Sequence, residues 1–115
     1  MKSDYDLFVD LCKRQNLKDD YANYFKGVSH NLAMKKLKSL QKKIEKNKDF
    51  ILLENLMHHD DDRVRLNAAS FALELGVNLK LSRFILEDIK KNSKDVTVSF
   101  SAEQLIKNVE KKKTD

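Results

Sequence analysis

The chain has 115 residues, a net charge of +5, no Pro, two Gly and a single Cys. That length allows one domain with a modest core, and so little Pro and Gly leaves too few turn formers for an all-β fold. Lone Cys12 excludes an internal disulfide and suits a reducing compartment. No apolar run approaches the ~20 residues that span a bilayer, and Asp4, Asp6 and Asp10 break any N-terminal leader. The expected location is therefore the cytoplasm, with no membrane contact.

Ser3 or Asp4 can cap a first helix, with Tyr5, Phe8, Val9 and Cys12 on one face. The pattern falters near Asn16 and resumes with Leu17, Tyr21, Tyr24, Phe25 and Val28, as two helices or one bent one. Gly27 reads as a C-terminal cap and Ser29 as the cap of the next helix. Residues 31–47 then read as an amphipathic helix. Ala33, Leu37, Leu40 and Ile44 form its buried stripe, and Lys35, Lys38, Lys42 and Lys46 form a second stripe on another side. That lysine row is either a solvated face or a docking surface for an acidic partner or for phosphates.

Residues 48–58 are apolar on much of the helix circumference, through Phe50, Ile51, Leu52, Leu53, Leu56 and Met57. Such a helix packs on more than one side. His58, His59, Asp60, Asp61 and Asp62 follow. Adjacent residues rarely converge on one metal ion, and no second ligand cluster exists. The run reads instead as a helix start, with a cap and negative charge at the positive end of the next helix.

Residues 63–75 form a helix with two apolar faces. Val64, Ala68, Phe71, Ala72 and Leu75 make one, and Leu66, Ala69 and Leu73 the other. Between them runs one polar stripe of Arg63, Asn67, Ser70 and Glu74. The helix is predicted to be sandwiched, and Gly76 stops it. Asn78 is placed as the cap of a helix over residues 79–91, buried through Leu81, Phe84, Ile85 and Ile89. Residues 92–98 read as a loop or briefly extended. A last helix starts near Ser99 or Ser101, where Ser101 and Gln104 fit a capping box. Ala102, Leu105, Ile106 and Val109 are its core face, and Lys111 to Lys113 a solvated tail.

Residues 50–76 and 84–110 are two copies of one unit. Phe50 and Phe84, Asp61 and Asp95, Val64 and Val98, and Phe71 and Leu105 are each separated by 34. A fixed period of this size marks a helical repeat. The run Asp61-x-x-Val64-Arg65-x-x-Ala68-Ala69-x-x-Ala72-Leu73 resembles the second helix of a HEAT repeat. In that family the Asp caps the helix and bonds to the Arg four residues on, so Asp61 and Arg65 take those roles by resemblance, with Ala68 and Ala72 as packing positions. The second copy has Ser99 where the Arg should stand, as suits a terminal, capping repeat.

Residues 20–112 also resemble a small bacterial HEAT-like family of unknown function. The resemblance rests on the turn at residues 27–31, on Val64-Arg65-Leu66-x-Ala68-Ala69 and on Ser99-Phe100-Ser101-Ala102-Glu103. It implies a single all-α domain over residues 1–115, a short HEAT-like solenoid (an α-α superhelix) of about five to seven helices. Some similar proteins lie beside polymorphic toxins, which implies an immunity role.

No catalytic constellation is present. His30, His58 and His59 lack a spaced nucleophile, Cys12 sits on an apolar face, and there is no Gly-rich phosphate loop. The expectation is a non-catalytic, protein-binding scaffold without metal or cofactor, monomeric alone, that binds a partner such as a toxin domain. Its candidate contacts are Arg63, Asn67, Ser70, Glu74, Lys35, Lys38, Lys42 and Lys46, with Arg63 and Glu74 foremost because a charged pair on a recessed wall sets orientation. The alternative is nucleic-acid binding through the lysine row. Against it, that helix has no interleaved aromatics for base stacking and Arg is scarce.

Overall fold

The computed structural model describes residues 3–15 and 24–114, and the side chains of residues 3–13 and 32–110. The fold is all-α. Six helices are described: α1 (Asp4–Gln15), α2 (Tyr24–Asn47), α3 (Phe50–Met57), α4 (Asp62–Leu75), α5 (Leu79–Asn92) and α6 (Val96–Thr114). There is no strand among the described residues. The helices divide into two compact units, Met1–Leu52 and Leu53–Asp115.

In the first unit α1 begins on Ser3, whose Oγ accepts the Asp6 N–H at 3.1 Å. Phe8, Leu11 and Cys12 of α1 are fully buried, as are Ala33, Leu37, Leu40 and Ile44 of α2 to within a few per cent. The two helices run antiparallel. Lys43 near the end of α2 reaches Asp4 at the start of α1, at 3.1 Å. The predicted Gly27 cap and Ser29 start are corrected: α2 is continuous through both. Gly in a helix interior costs roughly 1 kcal/mol relative to Ala, which longer-range packing readily offsets. Leu17 and Tyr21 lie outside the described residues, as do the side chains of Tyr24, Phe25, Val28 and His30.

Helix α2 ends at Lys48, whose φ is 54°. Lys48 N–H donates to Glu45 O and Asp49 N–H to Ile44 O, at 3.2 and 3.0 Å. This is the left-handed closure that Gly usually supplies. In α3, Leu53, Leu56 and Met57 are fully buried, whereas Ile51 is 72% exposed.

In the second unit both predicted faces of α4 hold buried residues, Val64, Ala68 and Ala72 on one and Leu66 and Ala69 on the other, but Phe71, Leu73 and Leu75 are only half-buried. Small Ala side chains admit neighbouring helices to both faces. Gly76, at φ 73°, closes α4 by the same double bond as Lys48, with its N–H on Leu73 O and Val77 N–H on Ala72 O.

Helices α4 and α5 are antiparallel, because Arg65 at the start of α4 meets Asp88 near the end of α5 at 2.8 Å. So are α5 and α6. Ser99 Oγ donates to Lys90 O at the near end, at 2.8 Å, and Arg83 pairs with Glu110 at the far end. Ser82 is fully buried on α5, and its hydroxyl donates to Met57 Sδ at 3.7 Å, tying α3 to α5.

Three expectations change here. Asn78 does precede α5, but with φ 50° and no side-chain capping bond. The buried residues of α5 are Ser82, Ile85, Leu86 and Ile89, and Phe84 is 68% exposed. Residues 96–98 are not a loop: α6 starts at Val96, and Val98 is buried. Its cap is Asp95 rather than Ser99 or Ser101, since Asp95 Oδ1 accepts the N–H groups of Thr97 and Val98 at 3.0 and 3.3 Å. Three β-branched residues read locally as extended, but a capping carboxylate and a buried valine outweigh them. The helix also runs on through Lys111 to Lys113.

The positions 34 residues beyond one face of α4 differ from it. Leu66, Ala69 and Leu73 of α4 correspond, 34 residues on, to Phe100, Glu103 and Lys107 of α6. Glu103 and Lys107 pair at 3.4 Å, and Phe100 is 59% exposed.

Candidate partner-binding surfaces

The polar stripe predicted on α4 is only partly open. Arg63, Asn67 and Ser70 are half-buried and Glu74 is exposed. The structure does not gather all four at one recess. Ser70 and Glu74 line a hollow of about 410 Å³ with Leu73, Leu79, Leu105 and Val109. Arg63 and Asn67 stand outside its lining.

That hollow adjoins an apolar groove of about 360 Å³, and the two share Leu73, Leu79 and Val109. The groove lies among α4, α5 and α6, walled by Leu73, Leu79, Phe84, Leu86, Ile106 and Val109. Lys80, Arg83 and Glu87 mark its edge. Arg83 is held there by Glu110, across α5 and α6.

Why the groove is open follows from local periodicity. Ser82, Ile85, Leu86 and Ile89 recur at three- and four-residue spacing and bury one face of α5. Phe84 falls off that arc, and Leu79 lies beyond its start; they are 68% and 53% exposed. The sequence reading puts Leu81, Phe84, Ile85 and Ile89 in the core and leaves Leu79 unassigned; Leu81 is half-buried and Phe84 is exposed. The arc of α5 itself excludes Phe84.

The motif residues Asp61 and Arg65 act structurally, though not as a pair. Asp61 Oδ1 accepts the N–H groups of Arg63 and Val64 at 2.8 and 3.3 Å, and its own N–H donates to His59 Nδ1 at 2.9 Å. The expected Asp61–Arg65 side-chain bond is replaced. Arg65 instead pairs with Asp62 one turn back and with Asp88 on α5. Asp61 spends its carboxylate on the cap, so the guanidinium turns to the two acids that remain in reach.

Burial works against the charge on Arg65, but the bonds to Asp62 and Asp88 outweigh it and raise its pKa. Arg65 in turn holds the Asp88 carboxyl below its ordinary value, with help from the Asn92 amide. Arg65 Nε is buried and makes no hydrogen bond.

In the first unit, Lys35, Lys38, Lys42 and Lys46 are all exposed on α2. Ala68 and Ala72 are fully buried on α4, in keeping with the packing role the repeat motif implies. No group of three or more His, Cys, Asp or Glu among the described residues could hold a metal ion. No helix among them is long and apolar enough to cross a membrane. Against known proteins the chain stands apart: no family model, no curated protein and no solved structure matches it.

Proposed function

We propose that this protein is a non-catalytic, protein-binding helical-repeat module that receives its partner in the apolar groove of α4, α5 and α6. The observation that carries this reading is the exposure of Phe84 and Leu79 beside that groove. Large apolar side chains at the mouth of a concave apolar surface are a costly arrangement in water, and a partner's apolar side chains would relieve it. Aromatic anchors at the centre of an interface carry much of its binding energy. Ser70 and Glu74 at the adjoining hollow supply the polar edge that fixes orientation. In its most concrete form the partner is a toxin domain, and binding neutralises it. The HEAT-like sequence pattern supports that form.

The test is capture of a partner by the wild-type chain and by a Leu79→Ala, Phe84→Ala double variant. Both side chains are largely exposed, so the variant should melt as wild type does and lose the partner. Co-expression with the captured protein should then protect cells only in the wild-type case. A double variant that is folded and still binds at full affinity removes the groove from the interface.

A further inference from the structure

Charge is divided unevenly along the chain. Residues 1–52 hold twelve Lys and Arg against seven Asp and Glu, a net of +5, while residues 53–115 hold eleven of each. Helix α2 concentrates the excess, with seven Lys and one acid, Glu45.

At about 100° per residue, buried Ala33, Leu37, Leu40 and Ile44 share one arc of α2. Lys35, Lys42 and Lys46 lie opposite. Lys38 flanks them on one side, and Lys36 and Lys43 on the other. Lys43 is paired with Asp4. The other five have no acidic partner among the described residues. Lys35 and Lys38, Lys38 and Lys42, and Lys42 and Lys46 are same-sign pairs at three- and four-residue spacing, each of which disfavours the helix. The free protein therefore carries a self-repelling row relieved by solvent, salt and the single acid Glu45, three residues beyond Lys42. Leu32, 51% exposed, lies on the same face one turn earlier.

We propose that this face of α2 docks an acidic amphipathic helix of a protein partner. Its carboxylates, at matching three- and four-residue spacing, face Lys35, Lys38, Lys42 and Lys46, and an apolar side chain covers Leu32. The proposal rests on the protein-binding reading but uses a different surface from the groove.

A helix fits better than a nucleic acid for three reasons. The row is roughly 16 Å long, eleven rises of ~1.5 Å from Lys35 to Lys46, and a helix laid alongside repeats its charges at the same period. The phosphates of a duplex strand wind away from a straight line, so the row meets few of them. The face also has no Arg to read base edges and no aromatic to stack on bases, whereas exposed Leu32 offers a contact that phosphates cannot use. Such a surface acts mainly on encounter rate and orientation.

The experiment uses the full chain and three labelled probes. One is a helical peptide of about 20 residues with Glu in one stripe and a Leu one turn away. The second has the same composition with the Glu scattered round the helix, and the third is a short DNA duplex. Affinities are measured at low salt and at about 0.15 M.

The striped peptide should bind about tenfold tighter than the scattered one. That advantage should vanish in a variant with Lys35, Lys38, Lys42 and Lys46 all changed to Gln. Lys42→Glu should weaken the striped peptide while raising Tm slightly, because two repulsions, with Lys38 and Lys46, become attractions and one attraction, with Glu45, becomes a repulsion. Leu79→Ala with Phe84→Ala should leave peptide binding unchanged, which separates this surface from the groove. Equal binding of the two peptides, or no binding of the striped one at low salt, overturns the proposal while the groove reading stands. A duplex that binds tighter than the striped peptide at about 0.15 M salt makes the face a nucleic-acid surface instead.

Discussion

Asp61 and Asp95, 34 positions apart, cap their helices in the same way. Each Oδ1 accepts the backbone N–H groups two and three residues on, at 2.8 and 3.3 Å for Asp61 and 3.0 and 3.3 Å for Asp95. The two carboxylates thus do the same work at two helix starts. They mark the points where α4 and α6 begin.

Loss of either cap leaves N–H groups without a partner at a helix start. Asp61→Ala should cost around 1 kcal/mol, and Asp95→Ala the same or less, since Asp95 is exposed and water can substitute. Denaturant unfolding checks both. Asn at either position should retain most of the stability, because its side-chain oxygen can accept the same bonds.

Arg65 and Asp88 link α4 to α5 and give stability a pH dependence of known sign. The folded pKa of Asp88 lies below its ordinary 3.8. The pair's contribution is thus fully present above that ordinary value and is lost as pH falls through the lower, folded value. Arg65 is shifted upward, so its part is lost only at strongly alkaline pH. Asp88 is 38% exposed, and solvent screening keeps the contribution below about 1 kcal/mol. Asp88→Asn should flatten the stability curve between about pH 5 and pH 2 relative to wild type. An unchanged slope would mean that other carboxylates carry the acid response.

Two left-handed residues invite opposite changes. Gly76 has open space where a Cβ would stand, so Gly76→Ala meets no clash and its cost, about 1 kcal/mol, is that of the positive φ alone. Lys48 already carries that strain at φ 54°. Lys48→Gly should leave stability unchanged or raise it by up to about 1 kcal/mol. Thermal melts of the two variants should move in opposite directions or, for Lys48→Gly, not at all.

Ala68 and Ala72 are fully buried on α4. Ala68→Leu and Ala72→Leu should each overpack the second unit by about 1–3 kcal/mol. Ser70→Leu, two positions from each on the same helix but at the open hollow, should cost far less. Equal melting of all three variants would contradict the packing described here.

Most helices, and the arcs they bury, follow from local residue patterns. The stripes Ala33, Leu37, Leu40, Ile44 and Val64, Ala68, Ala72 follow from the 3.6-residue period, which is local and needs no knowledge of neighbours. The Asp61 cap and the Gly76 stop were legible for the same reason: their chemistry is complete within four residues.

Other features needed the packed fold. Phe84 was not one of them: it lies nearly opposite the arc that Ser82, Ile85, Leu86 and Ile89 bury, so the helical period of α5 already excluded it. Arg65 had Asp61, Asp62 and Asp88 as possible partners, and the choice of Asp88, 23 residues away, needed the packing of α5 on α4. Gly27 and the Val96-Thr97-Val98 run were misread because intrinsic preferences of about 1 kcal/mol or less per residue yield to a cap or a buried contact elsewhere. Exposed Phe84 is legible from the period of α5, but the groove it lines is not. It arises because Leu73, Leu79, Phe84, Ile106 and Val109, scattered over three helices, meet at a surface that no part of the second unit fills.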